Sequence, residues 1–200
     1  MFKIDIDELK SYLNNSKSVN DIDYKVFGTS IEQEIGNFFK DKKYSLLVAK
    51  DKNEFPDFRY KYDTAIEIKS SIYGENPAND MGTLNSWKDK MNKFDNIFVI
   101  FIFYEKEKKN NRIAEIFYDK VWNFIGINRD GFLSYREKDG NLRPKKFSDM
   151  KDNVCYVEDK NDFIKKIDET IVYRSKRIIN KHLKLIERIE KEGEEDYISE

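Results

Sequence analysis

Apolar and polar residues along the chain follow two periods, which together predict a sheet flanked by helices. Apolar residues recur at helical spacing in several segments, while shorter apolar or alternating runs indicate strands. Helices are predicted at residues 4–14, about 31–41, 84–94 and 161–190. Strands are predicted at residues 44–49, 55–61, 64–70, 96–104 and 113–118. Thr29 or Ser30 is the expected cap of the second helix.

The order of these elements predicts one domain of the α/β class. At 200 residues the chain is long enough for a single core, and no repeat or flexible linker divides it. We expect one domain over residues 1–200, with a central mixed sheet of five or six strands between helices. Residues 28–105 would form its functional core and 161–190 a C-terminal helical region. Segment 128–147 is punctuated by Gly and predicts a small hairpin.

Charge and cysteine content narrow the classes of protein. The net charge is −1, with 37 Lys and Arg against 38 Asp and Glu, so a protein that coats nucleic acid non-specifically is disfavoured. Cys155 is the sole cysteine and cannot form an intramolecular disulfide. The longest apolar run, 97–104, is too short to span a bilayer, and no signal peptide is evident. We therefore expect a cytoplasmic protein.

Candidate chemistry lies on the predicted strand 64–70 and the strand before it. Because strand side chains alternate, Ile66 and Ile68 face one side while Glu67 and Lys69 face the other. The predicted hairpin returns Asp57 beside that pair. Two neighbouring carboxylates repel each other unless a cation lies between them, and Mg²⁺ or Mn²⁺ prefers oxygen ligands. Asp57, Glu67 and the Ile68 carbonyl are candidate metal ligands, and Lys69 a candidate catalytic residue.

These residues resemble a known family. Pro56-Asp57, followed by Glu67-Ile68-Lys69 ten residues after the aspartate, is similar to the PD-(D/E)xK nuclease signature. Within that group the nearest resemblance is to EcoRV-type restriction endonucleases, through the segments Pro56-Asp57-Phe58, Ile68-Lys69-Ser70-Ser71 and Gly82-Thr83-Leu84-Asn85-Ser86-Trp87. The second acid is Glu67, where EcoRV itself has Asp. The resemblance covers roughly residues 25–105.

The resemblance implies a restriction-endonuclease-like domain with the activity of a type II restriction endonuclease. Such an enzyme performs Mg²⁺-dependent, sequence-specific hydrolysis of double-stranded DNA and leaves 5′-phosphate ends. It implies a homodimer acting on a palindromic site, and a DNA methyltransferase in the host. It also implies an auxiliary acid on the preceding helix, for which Glu32 fits best and Glu34 is the alternative.

Candidate DNA contacts lie in three places. Ser70, Ser71 and Thr83, with Asn85 and Ser86 of the Thr-Leu segment, suit phosphate binding. Asn76 and Asn79 lie in the polar loop 72–82, which either enters a DNA groove or is an ordinary turn. Arg136, Arg143 and Lys145 belong to segment 128–147, which either contacts DNA or is a solvated basic hairpin.

Two other functions fit the same residues. A structure-specific repair or recombination nuclease, such as a resolvase, would cut branched DNA without regard to sequence. A DNA-binding module without catalysis would show no metal-dependent cleavage and no effect of Lys69→Ala. The sole histidine, His182, lies in a charged helical stretch, which disfavours histidine catalysis and zinc sites.

Overall fold

The computed structural model describes residues 2–20, 27–44, 46–48, 55–106 and 111–198. The helices are α1 Ile6–Asn15, α2 Lys17–Asn20, α3 Phe27–Asp41, α4 Leu84–Lys93, α5 Phe147–Lys151 and α6 Lys160–Ile198. The strands are β1 Leu46–Val48, β2 Phe58–Tyr60, β3 Thr64–Ile72, β4 Asn96–Lys106 and β5 Asn111–Lys120. A 3₁₀ helix covers Val121–Phe124. None of the helices described is both long and apolar enough to cross a membrane.

The strands form one five-stranded sheet in the order β1-β2-β3-β4-β5. Neighbouring strands are antiparallel except for β3 and β4, which are parallel because α4 crosses between them. The predicted α/β fold with a mixed sheet between helices is therefore confirmed.

Two apolar cores cover the two faces of the sheet. One lies between the sheet and α1–α3, and the other lies under α4, α6 and residues 121–157. β4 contributes to both: Val99 and Phe101 pack on the α4 side, whereas Ile100 and Ile102 pack on the α3 side. A strand buried on both faces is a continuous apolar run, which explains why residues 97–104 lack any alternation.

Some predicted boundaries differ from the structure. Helix α3 begins at Phe27, so Thr29 and Ser30 lie inside the helix and neither caps it. Phe27 extends the apolar stripe of Ile31 and Ile35 by one turn, which favours the longer helix. The hairpin predicted in segment 128–147 is confirmed in a shorter form, because residues 134–136 pair antiparallel with 141–143: the Arg136 N–H donates to the Asn141 carbonyl at 2.7 Å and the Arg143 N–H to the Ser134 carbonyl at 2.8 Å.

Candidate active site

The alternation predicted for β3 places its two charged side chains together. Ile66 and Ile68 are buried in the core shared with α3. Glu67 and Lys69 lie on the opposite face, on the side of Ala65 and the α4 core. The buried isoleucines fix the register of the strand, because a shift by one residue would exchange its two faces.

Asp57 reaches β3 because β2 is short. The pairing of β2 with β3 ends at Phe58↔Ile66, so beyond Ile66 the edge of β3 has no strand partner in the described part of the chain. Asp57 directly precedes β2, and its Oδ2 accepts a hydrogen bond of 2.6 Å from the backbone N–H of Ile68. The carboxylate thus occupies the position that the next residue of a longer strand would take.

Glu67 and Lys69 form a mostly buried ion pair beside Asp57. Lys69 Nζ donates to Glu67 Oε1 at 2.6 Å, and the side chains of Lys69 and Glu67 are 19% and 18% exposed, respectively. The other carboxylate oxygen, Glu67 Oε2, is buried and accepts no hydrogen bond from any described residue. An orphaned acceptor beside a second carboxylate is costly without a further cation or donor.

The proximity of these charges changes their proton affinities. Burial raises the pKa of Asp57 to about 7, with Glu67 and Glu32 adding to the rise against the Ile68 hydrogen bond and Lys69. Burial alone would lower the pKa of Lys69, but Glu67, Asp57 and Glu32 outweigh it and raise that pKa. Lys69 is therefore an ammonium group at neutral pH, in a site that lacks enough positive charge for its acids.

Of the two candidate auxiliary acids, Glu32 is the one with an electrostatic effect on this site. It is half-buried on α3, and its charge acts on both Asp57 and Lys69. Glu34 lies on another side of the helix, where it accepts a hydrogen bond of 3.4 Å from Asn37 and lines a groove with Tyr12 of α1. Two residues along a helix correspond to about 200° of rotation, which separates the two side chains.

The oxygen atoms at this site suit a hard divalent cation. The described residues include no cluster of three or more His, Cys, Asp or Glu side chains arranged to hold a metal. A cation here would therefore rely on Asp57, Glu67 and a backbone carbonyl, with other oxygens from outside the protein. The orphaned Glu67 Oε2 and the raised pKa of Asp57 are both features that such a cation would relieve.

The predicted phosphate-binding segment forms the start of α4. Thr83 is the N-cap: its Oγ1 accepts from the Ser86 N–H at 3.2 Å, while Ser86 Oγ donates to the Thr83 carbonyl at 2.9 Å. Asn85 is exposed in the first turn. The N-terminus of a helix carries partial positive charge and suits an anion.

The residues predicted in the polar loop have partners within the protein. Asn79 Nδ2 donates to the Ser70 carbonyl at 3.0 Å, and Asn76 Oδ1 accepts from the Phe147 N–H at 3.3 Å. Ser70 lies on the α3 side of β3, near Gly28, whereas Ser71 follows Lys69 on the face that carries the ion pair. The two serines therefore do not face one ligand together.

The predicted basic residues of segment 128–147 also have partners within the protein. The Asp80 carboxylate binds Arg136 and Arg143, each at 2.9 Å, and Arg143 also donates to the carbonyls of Ala78 and Asn79. Both arginines thus brace the loop 72–82. Lys145 is buried and donates to the Val154 carbonyl at 3.0 Å, so its ammonium faces the interior.

The sequence analysis did not identify Lys90, a charged residue near the site. Lys90 of α4 is half-buried, with its Nζ over the rings of Phe55 and Trp87, and its pKa responds to Glu67, Lys69 and Asp57. The available signal was its position, three residues after Trp87 and next to Met91, on the buried face of an amphipathic helix.

The fold is similar to that of NlaIV restriction endonuclease, with a TM-score of 0.58 and 19% identity over 87% of this chain and 82% of that chain. The fold is thus that of restriction endonucleases. A family model described as NgoBV restriction endonuclease matches residues 5–199, and the chain belongs to this family. The predicted function, a type II restriction endonuclease that cuts DNA site-specifically, is confirmed. Among proteins with curated descriptions, none matches the sequence.

Proposed function

We propose that Asp57, Glu67 and Lys69 form the catalytic centre of this restriction endonuclease, in the PD-(D/E)xK arrangement and with an EcoRV-type resemblance. The observation that carries the proposal is the ion pair of Glu67 and Lys69, which meets Asp57 at the open edge of β3. A surface hairpin would leave such charges solvated, whereas these are mostly buried and contain an orphaned oxygen. Buried charges with perturbed pKa values are typical of functional sites.

Mg²⁺, with Mn²⁺ as a substitute, is the proposed cofactor. Asp57, Glu67 and the carbonyl of Ile68 would hold it, since the N–H and C=O of one strand residue point to the same side and Ile68 N–H points to Asp57. When bound, the cation supplies Lewis-acid stabilisation of the phosphate and lowers the pKa of water. Without it, burial and then repulsion from Glu67 raise the pKa of Asp57.

Lys69 and Glu32 have supporting roles in this proposal. Lys69 keeps its proton, so it donates hydrogen bonds to the attacking water or to the charge that develops on the phosphate during hydrolysis. Glu32 is the proposed auxiliary acid rather than Glu34, because its charge reaches both Asp57 and Lys69. Through its charge, Glu32 would link helix α3 to the proposed catalytic residues Asp57 and Lys69.

DNA would lie across the open edge of β3 and the start of α4. Ser71, Thr83, Asn85 and Ser86 are proposed phosphate contacts near the α4 N-terminus. Ser70, Asn76 and Asn79 would shape the loop 72–82, since the Ser70 carbonyl and the side-chain amides of Asn76 and Asn79 bind within the protein. Arg136 and Arg143 would act through the same loop, and Lys145 would reach DNA only after leaving its buried position.

We further propose a homodimer that cuts both strands of a palindromic site. Its support is an exposed stripe of apolar residues on α6, each more than half exposed, at spacings that keep them on one face. This α6 stripe consists of Val172, Ile179, Leu183 and Ile186. A two-fold dimer matches the symmetry of a palindrome. The enzyme would act in the cytoplasm beside a methyltransferase that protects the host DNA.

The test is cleavage of unmethylated phage DNA with Mg²⁺ or with EDTA, with Lys69→Ala in parallel. Discrete fragments that require both Mg²⁺ and Lys69 would support the proposed centre, and sequencing their ends would give the site. A metal-dependent smear would favour the repair or resolvase-like nuclease, which branched substrates would then identify. Intact DNA under every metal would favour a non-catalytic DNA-binding protein, and full activity of Lys69→Ala would refute the assignment.

A further inference from the structure

Lys90 places a second ammonium group beside the proposed catalytic centre. Its Nζ lies 4.0 Å from the ring centre of Phe55 and 4.5 Å from that of Trp87. The third wall is Gly82, which is so close that a Cβ atom at that position would lie 2.9 Å from Nζ. The ammonium is therefore held between Phe55, which lies two residues before the catalytic aspartate, and the turn that opens α4.

The position of Lys90 has no evident benefit for folding. Among the residues described, no oxygen accepts a hydrogen bond from its Nζ, which instead contacts the aromatic faces of Phe55 and Trp87. Cation–π contacts recover only part of the hydration that a half-buried ammonium loses. A methionine would fill the same space without that cost, so the charge itself requires an explanation.

The charges around the Lys90 ammonium indicate that it suits an anionic ligand. Burial lowers the pKa of Lys90, Lys69 adds to the fall, and Glu67 and Asp57 oppose it. Glu67 already pairs with Lys69, and Lys90 makes no ion pair with it among the described contacts. Lys90 thus lies near the two acids and retains unused donors beside the α4 N-terminus, which itself suits an anion.

We propose that Lys90 is a phosphate-binding residue of the active site, which holds a backbone phosphate of DNA at the cleaved step. The proposal rests on the proposed centre of Asp57, Glu67 and Lys69. Phe55, Trp87 and Gly82 fix the ammonium in one place, so that the phosphate replaces water around it without moving the side chain. Lys69 then serves the reacting centre while Lys90 holds the backbone.

Lys90→Met separates this role from a structural one. Because methionine fits the aromatic walls, the midpoint of thermal unfolding should stay unchanged or rise, whereas binding of a cognate duplex in EDTA should weaken about 10- to 100-fold. Single-turnover cleavage with Mg²⁺ should fall in parallel. Lys93→Met, which alters an exposed lysine of the same helix, is the matched control and should change neither quantity.

Removing the charge of one DNA phosphate at a time identifies the phosphate that Lys90 contacts. Duplexes with a methylphosphonate at each position around the mapped cut lose one negative charge at a time. Replacing the phosphate that Lys90 binds with methylphosphonate should weaken DNA binding by the unaltered protein. The same replacement should hardly change DNA binding by Lys90→Met. Equal penalties at every position, or binding and cleavage by Lys90→Met within about twofold of the unaltered protein, would overturn the proposal. If Glu67→Gln still cleaves, the proposed centre fails instead, whatever Lys90 does.

Discussion

Lys69 Nζ lies 2.6 Å from Glu67 Oε1, and the two residues occupy alternate positions of one strand. This ion pair sits on the α4 side of a sheet whose opposite side is apolar at Ile66 and Ile68. Stability alone does not favour such a pair, because two apolar residues would avoid its desolvation. Its role in folding and its role in cleavage can therefore be separated by substitution.

Lys69→Met should cost stability that a second substitution restores. Alone, it leaves Glu67 and Asp57 without their ammonium and should lower the free energy of unfolding by about 3 kcal/mol in EDTA. Adding Glu67→Gln removes the unpaired charge and should recover most of that loss, as urea unfolding would measure. Cleavage should stay at least about 100-fold down in both variants, and its recovery in the double variant would contradict the assigned role.

Asp57→Asn should stabilise the metal-free protein, and more so at high pH. The folded-state pKa of about 7 lies above the ordinary 3.8, so the folded protein binds the extra proton and loses stability as the pH rises between these values. The gain from Asp57→Asn should therefore be small near pH 4, grow through neutrality and level off above about pH 8. Urea unfolding in EDTA across this range measures it. A gain that is largest in acid would contradict the assigned pKa direction.

Gly82→Ala should destabilise more than Gly74→Ala. Both glycines have positive φ, +88° and +79°, so both substitutions carry similar backbone strain. Only at Gly82 would the new carbon meet neighbours, at 2.9 Å from Lys90 Nζ and 3.1 Å from Trp87 Nε1. The rigid neighbour is the Trp87 ring, whose Nε1 donates to the Met81 carbonyl at 2.7 Å, so we expect about 1 kcal/mol for Gly74→Ala and roughly 1 kcal/mol more for Gly82→Ala. Equal losses in urea unfolding would mean that the Trp87 ring shifts without cost.

If Arg143 stabilises the loop 72–82 through Asp80, then Asp80→Ala and Arg143→Ala should reduce the sequence specificity of cleavage equally. Each removes one partner of the same contact, so each should reduce the preference for the cognate site over sites with one altered base pair. If Arg143 instead binds DNA, Arg143→Ala alone should weaken binding and reduce its salt dependence by about one phosphate contact. Asp80→Ala would then strengthen binding. Arg129→Ala, at an exposed arginine, is the control.

Leu183→Glu should dissociate the proposed dimer. It places a charge in the middle of the α6 stripe, where burial against a second copy would desolvate it. Lys181→Glu alters an exposed position on the opposite side of α6 and is the matched control. Sedimentation velocity should show a monomer for Leu183→Glu alone, with slower cleavage of both strands. A dimer that survives both substitutions would place the interface elsewhere.

The strand β3 and the placement of its charges were predictable because they depend on local periods. Alternation alone assigned Glu67 and Lys69 to one face, and a short hairpin sufficed to return Asp57. The continuous apolar run of β4 likewise indicated a central strand. The restriction endonuclease family, confirmed by a match over residues 5–199, agrees with the function that these few residues predicted.

The surroundings of the site were not predictable, since they depend on contacts between distant segments. Arg143 meets Asp80 from 63 positions away, so the sequence showed a basic residue but not that an acid already binds it. Lys90 owes its setting to Phe55, far behind it in the chain. Glu32 and Glu34 both fitted the motif, and only the rotation of α3 against the sheet distinguished them.

Within the described part of the chain, the edge of β3 beyond Ile66 has no strand partner, which bears on self-association through the sheet. A strand edge with free N–H and C=O groups can recruit a strand from another molecule. Here the Asp57 carboxylate covers the Ile68 N–H at that edge, and Glu67 and Lys69 place charge next to it. An incoming strand would have to displace the carboxylate and desolvate the ion pair. The residues proposed to cut DNA would therefore also hinder edge-to-edge pairing of the sheet.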